Sequence, residues 1–274
     1  MGGLHDSTNL FSPLAVICPS IGLDHQAVLG NTHAEIATEK AGVLKNGASF
    51  IYATDRTDVR DVFKQKANEE GSKTYELGKD FTAEGSSHSF DFIYKEQRLE
   101  GIALAMAGQH QVANASLAIM ASLLLQKDYP KVTPELIKDA LAHASWLGRT
   151  EFLMPNLMID GAHNNESVKV LIDLLRSEYA DKDIELLFAA IDTKPIDSML
   201  AQLESVGDLT VTSFEYPNSV KLDKYPVTYK QVSDFQTWIE EHVTANDDKL
   251  YVITGSLYFI SQVRKWILEQ ESAV

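Results

Sequence analysis

The chain has 274 residues, 45% of them hydrophobic, and its 39 acidic side chains outnumber 24 basic ones to give a net charge of −15. The electrostatic field of this negative net charge repels phosphate backbones and anionic membrane surfaces, so neither nucleic acid nor a membrane is an expected partner. The single cysteine, Cys18, excludes an intramolecular disulfide and favours a reducing, cytoplasmic location.

The first half of the chain begins with a predicted strand and a polar loop. An apolar run predicts a buried strand at 14–18, and the loop that follows it carries Asp24 and His25. Ligands of α/β sheets gather at such strand ends, so His25 is a candidate metal ligand with Asp24 as the group that orients it. An ordinary loop histidine is the alternative.

A capping box opens the next predicted helix. Thr32 and Glu35 form the box, and apolar residues at helical spacing continue to a stop at 46–47. Lys40 shares a face with apolar residues of this helix, so we expect its amine to be partly buried. If the amine of Lys40 is neutral, it can react with carbon dioxide to give a metal-bridging carbamate. The simpler alternative is that Lys40 keeps its charged end in solvent.

The rest of the first half supplies two further candidates. The helix predicted at 109–126 carries Asn114 near its start, where polar groups can contact a nucleotide or simply cap the helix. Arg149 follows the first half and is either a phosphate clamp or a surface arginine. The other predicted elements are a strand at 49–53, helices at 58–67 and 133–145, and a hairpin at 87–105 with its turn at 96–97.

Strands and helices alternate in the second half, which predicts a mainly parallel, Rossmann-like sheet wrapped by helices. We place the boundary near Trp146, which gives domains at 1–145 and 146–274. The predicted strands lie at 157–160, 185–190, 209–213 and 250–254, and the predicted helices at 166–177, 196–205, 232–243 and 256–270.

Three residues of the second half follow predicted strands. Asp160 precedes a glycine at a strand end, an arrangement in which α/β proteins present a ribose-binding or catalytic acid. His163 lies on the loop into the following helix. Ser256 begins the last helix, where its hydroxyl either binds an anionic substrate or caps the helix.

One phosphate-binding motif is missing from the printed sequence. Nowhere does it contain G-x-x-x-x-G-K-[ST], the loop whose amides and lysine cradle nucleotide phosphates. Gly78 and Lys79 are followed by Asp80, and no glycine stands five residues before Gly78.

Eight short segments, spread over the whole chain, resemble motifs of the folylpolyglutamate synthase/dihydrofolate synthase family, which is related to the Mur peptide ligases. They are GGLHDSTN at 2–9, GLDH at 22–25, LGNT at 29–32, EKAG at 39–42, GQHQVANA at 108–115, GR at 148–149, DGAHN at 160–164 and GSLY at 255–258. Mild departures from the family pattern are Leu147 and Asn165, each where proline is usual, and Ala190, where glycine is common.

The resemblance implies an ATP-dependent ligation in which a folate or pteroate carboxylate is phosphorylated and then attacked by the amine of L-glutamate. It implies that His25 ligates magnesium and that Lys40 is carbamylated and supports a second metal. Asn114, Arg149 and Asp160 would hold ATP, with Arg149 on phosphate and Asp160 near the ribose. His163 and Ser256 would lie near glutamate, with Lys40 and His163 as the catalytic residues.

The family carries its phosphate loop, much of its folate pocket and a metal-binding glutamate before the segment that matches 2–9. We therefore expect the chain to begin inside that stretch, with a partial ATP-binding α/β lobe followed by a complete Rossmann-like domain. The strand at 14–18 would then expose an apolar edge through which the chain self-associates. The alternatives are a non-catalytic remnant or nucleotide- and glutamate-binding module, and a Mur-type peptide ligase.

Overall fold

The structure is a computed structural model that describes residues 3–244 and 247–271. Gly2, the first residue of the segment matched at 2–9, lies outside the described residues. The chain divides into two compact units, Met1–Ala144 and Ser145–Val274. No helix in the described ranges is long and apolar enough to cross a bilayer.

The first unit contains a parallel three-stranded sheet in the order β1-β2-β3. The register pairs Val16 with Phe50 and Phe50 with Thr74, so β1 forms one edge of this sheet. The rings of Phe50 and Phe63 pack edge to face in the core beside it. The elements are β1 (Ala15–Cys18), α1 (Gln26–Leu29), α2 (His33–Ala41), β2 (Ser49–Tyr52), α3 (Thr57–Glu69) and β3 (Thr74–Glu76).

An antiparallel sheet and two helices complete the first unit. The predicted hairpin is confirmed, with its turn at 95–96. A third strand was not predicted, because its sequence TAEGS contains glycine and lacks the apolar alternation of a half-buried strand. The elements are β4 (Thr82–Ser86), β5 (Ser89–Tyr94), β6 (Gln97–Ile102), α4 (Gln109–Leu125) and α5 (Pro134–His143).

The capping box at the start of α2 is confirmed, but the predicted end of this helix is wrong. The Thr32 hydroxyl accepts a hydrogen bond from the Glu35 amide, and the Glu35 carboxylate accepts one from the Thr32 amide. The helix ends at Ala41 rather than at 46–47. Beyond it the chain turns tightly, with the Leu44 amide bonded to the Ala41 carbonyl, and this turn buries Leu44 completely.

The second unit is built on a six-stranded sheet in the order β11-β10-β9-β12-β8-β7, parallel except for the β7 edge. The four predicted strands are present as β8, β9, β10 and β12, whereas the edge strands β7 and β11 were not predicted. The elements are β7 (Glu151–Met154), β8 (Leu157–Ile159), α6 (Asn165–Glu178), β9 (Asp183–Phe188), α7 (Ile196–Leu203), β10 (Asp208–Val211), β11 (Lys230–Gln231), α8 (Phe235–His242), β12 (Lys249–Thr254) and α9 (Leu257–Glu271).

Helices cover both faces of this sheet. Val252 packs in one apolar cluster with side chains of α6 and α7, while its neighbour Ile253 packs in a second cluster with side chains of α8 and α9. Since successive strand residues point to opposite faces, α6 and α9 lie on opposite sides of the sheet. The loops after the adjacent strands β8 and β12 therefore leave in opposite directions, which opens a crevice at their carboxyl ends.

Candidate functional site

Asp160 lies at the carboxyl end of β8, where its buried carboxylate is held by backbone amides. One oxygen accepts a hydrogen bond from the Thr150 amide at 2.9 Å, and the other accepts one from the Ala162 amide at 2.9 Å. Burial raises the pKa of Asp160, while the two amides and the nearby charge of Arg149 oppose that rise. The carboxylate therefore holds the backbone of two segments, at Thr150 and at Ala162, in place.

His163 is held in one orientation and one tautomer. Its Nδ1 lies 2.7 Å from the Gly161 carbonyl oxygen, which can only accept, so the ring proton is on Nδ1. Its backbone amide donates to the Ser167 hydroxyl at 3.0 Å. With Nδ1 protonated, Nε2 is the nitrogen that can accept a proton from a substrate.

Ser256 is joined to the Asp160 loop through its neighbour. The Gly255 amide donates to the Ala162 carbonyl at 3.1 Å, which ties the end of β12 to the end of β8. The Ser256 hydroxyl is buried and accepts the Tyr258 amide at 3.2 Å at the start of α9. Asp160, His163 and Ser256 thus stand on two adjacent loops of one crevice, and Ser256 also serves as a helix cap.

Arg149 belongs to the same region of the second unit. Its side chain is half-buried, and its charge acts on the carboxylate of Asp160. The residues on either side of it have left-handed backbone, with φ of 72° at Gly148 and 45° at Thr150. The structure therefore brings Arg149, Asp160 and His163 together.

In the first unit, His25 stands at the start of α1 beside an acidic neighbour. Its Nε2 lies 3.9 Å from a carboxylate oxygen of Asp24, and its backbone, with φ of 53°, is in the left-handed region. Half of its side chain is exposed. This arrangement is compatible with a histidine ligand oriented by a carboxylate.

Lys40 lies in the last turn of α2, and its charge acts on Cys18 at the carboxyl end of β1. Its side chain is half-buried, as expected from its helix face. Among the described residues, no group of three or more His, Cys, Asp and Glu side chains is arranged to hold a metal ion. A magnesium ion near His25 and Lys40 would therefore need oxygen ligands from a bound phosphate, water or a carbamate.

Burial raises the pKa of the Cys18 thiol to about 12, although the Lys40 charge opposes the rise. We expect a thiol reagent at pH 8 to label the native chain at least ~100-fold more slowly than the urea-unfolded chain, because only the thiolate reacts. The raised pKa also means that this thiol's contribution to stability is complete below about pH 8.5 and is lost as pH rises towards 12. Equal labelling rates in the native and unfolded chains would contradict this assignment.

Asn114 lies in the second turn of α4, on its exposed side. Its amide donates to the Gln111 side-chain oxygen at 3.2 Å, and Gln111 is buried. Gly108, with φ of 107°, precedes the helix, and its amide donates to the Ser87 hydroxyl at 3.1 Å. Asn114 is thus exposed near the start of a helix whose N-cap residue, Gly108, makes no side-chain cap.

A cavity of about 860 Å³ beyond the carboxyl ends of β9 and β10 was not predicted. Three lysines line it, Lys194, Lys221 and Lys224, together with Asp192 and Asp197. The volume is in the range of small-molecule sites, and the mixture of charges suits a ligand with two carboxylates and one ammonium group. The lysines are spread over two loops, so spacing in the sequence could not reveal the cluster.

No protein-family model matches the chain. It is 32% identical over 283 residues to the dihydrofolate synthase/folylpolyglutamate synthase of Bacillus subtilis, in an alignment that covers 97% of this chain and 65% of the relative. The apo folylpolyglutamate synthase of L. casei superposes with a TM-score of 0.81 at 26% identity, covering 98% of this chain and 64% of that one. A folylpolyglutamate synthase in complex with AMPPCP and folate superposes with a TM-score of 0.82 at 26% identity, covering 98% of this chain and 64% of that one. The chain spans just under two thirds of the length of these relatives.

Proposed function

Because this chain belongs to the folylpolyglutamate synthase/dihydrofolate synthase family, we propose that it carries the nucleotide- and glutamate-binding residues of an ATP-dependent ligase. The reaction would transfer the γ-phosphoryl group of ATP to a folate or dihydropteroate carboxylate. The amine of L-glutamate would then attack the acyl phosphate, form the amide and release phosphate. The observation that carries the proposal is the crevice between β8 and β12, where Arg149, Asp160 and His163 lie together.

The candidate nucleotide-binding residues are Arg149 and Asp160 on the second unit and Asn114 on the first. Arg149 would contact phosphate, Asp160 would fix the loop beneath it and contact the ribose, and Asn114 would contribute from α4. Phosphoryl transfer depends mainly on positioning and on neutralising charge, which a half-buried arginine near the phosphates supplies. Bound magnesium, ligated by His25 and a carbamylated Lys40, would neutralise the phosphate oxygens.

Glutamate would bind on the second unit. The Nε2 atom of His163 is the acceptor nitrogen of its ring and would take the proton that the attacking amine loses. Ser256 would bound this site from the start of α9. The cavity lined by Lys194, Lys221 and Lys224 would attract the carboxylates of the amino acid to the same edge of the sheet.

The proposal predicts release of phosphate that requires ATP, glutamate and a folate or dihydropteroate together. With the purified chain, His163→Ala should lower that rate at least ~100-fold, the usual size of a lost acid or base. His143→Ala, an exposed histidine of the first unit, is the control and should leave the rate unchanged. Turnover that survives His163→Ala would remove that residue from the proposed chemistry.

The residues of the crevice, Arg149, Asp160 and His163, would serve equally in a second candidate, a module that binds nucleotide and glutamate without turnover. Saturable ATP binding with no phosphate release would select it. A Mur-type peptide ligase is the enzymatic alternative, and phosphate release with a UDP-muramyl substrate but not with folate would select that one. In each case the partners are small molecules and the location is the cytoplasm.

Self-association through the β1 edge belongs to the same proposal. The run at 10–22 contains no charged residue, and its apolar side chains are exposed at Leu10 (89%), Phe11 (74%), Leu14 (58%) and Ile17 (42%). In a chain of net charge −15, two copies that meet at this uncharged run bring no like charges into direct contact. Such a patch marks either an interface or a site of aggregation.

We expect sedimentation to show an oligomer whose fraction grows with protein concentration. Ile17→Lys should raise the dissociation constant of this oligomer at least ~10-fold. Val227→Lys, at a side chain that is 94% exposed on the second unit, is the matched control. A wild-type chain that is monomeric at all concentrations, or an equal effect of the two variants, would refute the interface.

A further inference from the structure

Thr150 has a backbone conformation that its residue type disfavours. Its φ of 45° lies in the left-handed region, which it shares with three other non-glycine residues among those described, His25, Asn46 and Lys95. Histidine and asparagine tolerate this region, but a β-branched side chain there is a genuine outlier. Such conformations persist only where the surroundings enforce them, and they cluster at functional sites.

The side chain of Thr150 offers no local reason for this conformation. Its hydroxyl oxygen is buried, and within 3–244 and 247–271 it has no hydrogen-bond partner. An unsatisfied buried hydroxyl is itself unfavourable. The side chain and the backbone at this position are therefore both held by contacts that neighbouring residues make.

Those contacts fix the backbone on both sides of Arg149. The Thr150 amide donates to the Asp160 carboxylate at 2.9 Å. The Gly148 carbonyl accepts the Gly161 amide at 2.8 Å, and the Gly148 amide donates to the Glu151 carboxylate at 2.7 Å. Glu151 is fixed in turn, because its other carboxylate oxygen pairs with Arg264 on α9 at 2.8 Å.

We propose that Thr150 is a positioning residue for nucleotide binding: its amide, anchored on the Asp160 carboxylate, holds the backbone of Arg149 in the strained turn at 148–150. This inference rests on the proposed function, in which Arg149 contacts phosphate. A guanidinium whose backbone is fixed before the ligand arrives loses less conformational freedom on binding. The strain at Thr150 is the cost of that rigidity, since the left-handed conformation directs the chain from Arg149 into β7.

Two substitutions separate the backbone of Thr150 from its hydroxyl. Thr150→Gly removes the conformational penalty, so the melting temperature of the second unit should rise by about 2 °C. Nucleotide affinity should fall about fivefold in the same variant, because glycine lets the backbone beside Arg149 sample more conformations before the ligand binds. Thr150→Ala deletes the hydroxyl but keeps the penalty of a side chain, so affinity should stay within about twofold of wild type.

All three tryptophans, Trp146, Trp238 and Trp266, lie in the second unit, so tryptophan fluorescence follows the unfolding of that unit in the full chain. Nucleotide affinity is measured by titration calorimetry with ATP and magnesium. A lower melting temperature or an unchanged affinity in Thr150→Gly would overturn the proposal. An affinity loss above about twofold in Thr150→Ala would also overturn it, since the hydroxyl would then be a direct ligand contact.

Failure of the proposed function is recognised separately, as a wild-type chain with no measurable ATP binding. That result would remove the role in nucleotide binding together with the function. The enforced backbone has its own measurement, the hydrogen exchange of the Thr150 amide. Protection that Asp160→Ala abolishes supports the hydrogen bond to Asp160, whereas exchange at the rate of an open loop in the wild-type chain overturns it.

Discussion

Replacing Asp160 with alanine will lower the free energy of unfolding of the second unit by about 2–3 kcal/mol and weaken ATP binding at least ~10-fold. The carboxylate accepts two backbone amides, and each such bond to a charged group contributes on the order of 1.5–3 kcal/mol. Part of this is offset by the cost of burying the charge, which is why burial raises the pKa of Asp160. Without the carboxylate, the Thr150 and Ala162 amides lose their partners and the turn around Arg149 loosens.

The raised pKa fixes the sign of the pH dependence. A group whose pKa is raised in the folded state makes its full contribution to the free energy of unfolding below its unfolded-state pKa, which is about 4 for Asp160. That contribution is lost as the pH rises through the folded-state pKa. The stability difference between wild type and Asp160→Ala should therefore shrink from acidic to neutral pH. Urea unfolding followed by tryptophan fluorescence measures it. Asp181→Ala, at an exposed site in the same unit, is the control, and an equal loss in that variant would contradict the argument.

Gly255→Ala should destabilise the second unit at least as much, lowering its free energy of unfolding by about 3 kcal/mol. We also expect this variant to lose glutamate binding. Gly255 has φ of 115°, and an added Cβ would lie 2.5 Å from the Ala189 carbonyl oxygen and 2.7 Å from the Phe188 ring. The strand end must move to relieve these contacts. Because Ser256 is the next residue and the Gly255 amide anchors the Ala162 carbonyl, both walls of the crevice move with it.

A second glycine separates the steric clash from the cost of a positive φ. Gly71 has φ of 64°, and a Cβ there would meet nothing within 4 Å, so Gly71→Ala should cost only about 1 kcal/mol. Each variant is measured by chemical denaturation, with tryptophan fluorescence for the second unit and far-ultraviolet circular dichroism for the whole chain. If both variants lost the same free energy of unfolding, the backbone around Gly255 would have moved away from the added Cβ without destabilising the unit, which would contradict the expected steric effect.

The alternation of strands and helices in the second half was predictable because both faces of a parallel sheet are covered. Each central strand is a continuous apolar run such as LYVIT at 250–254, which sequence pattern identifies readily. The edge strands β7 and β11 are short and partly polar, so they carry no such signal. The end of α2 was misjudged because apolar spacing continues past Gly42, while tertiary packing of Leu44 ends the helix.

The candidate residues were found from motifs, but their surroundings were not. Asp160 was expected to face a ribose, and the structure adds that its carboxylate holds the amides of Thr150 and Ala162. Neither the strained backbone of Thr150 nor the lysine-lined cavity has a sequence signature, since each depends on residues brought together by the fold. The hydrogen bond from His163 Nδ1 to the Gly161 carbonyl likewise depends on the conformation of the loop, which the sequence pattern does not predict.

Residue-resolved mapping of ligand binding by NMR on the ¹⁵N-labelled 274-residue chain tests whether the nucleotide and glutamate sites are present. We expect ATP with magnesium to perturb the amide signals around Asn114, Arg149 and Asp160 in a saturable way. We expect glutamate added to this complex to perturb the signals of His163 and Ser256. Saturable binding elsewhere, or no perturbation of these residues at millimolar ligand, would contradict the central claim that this chain carries the nucleotide and glutamate sites of a ligase.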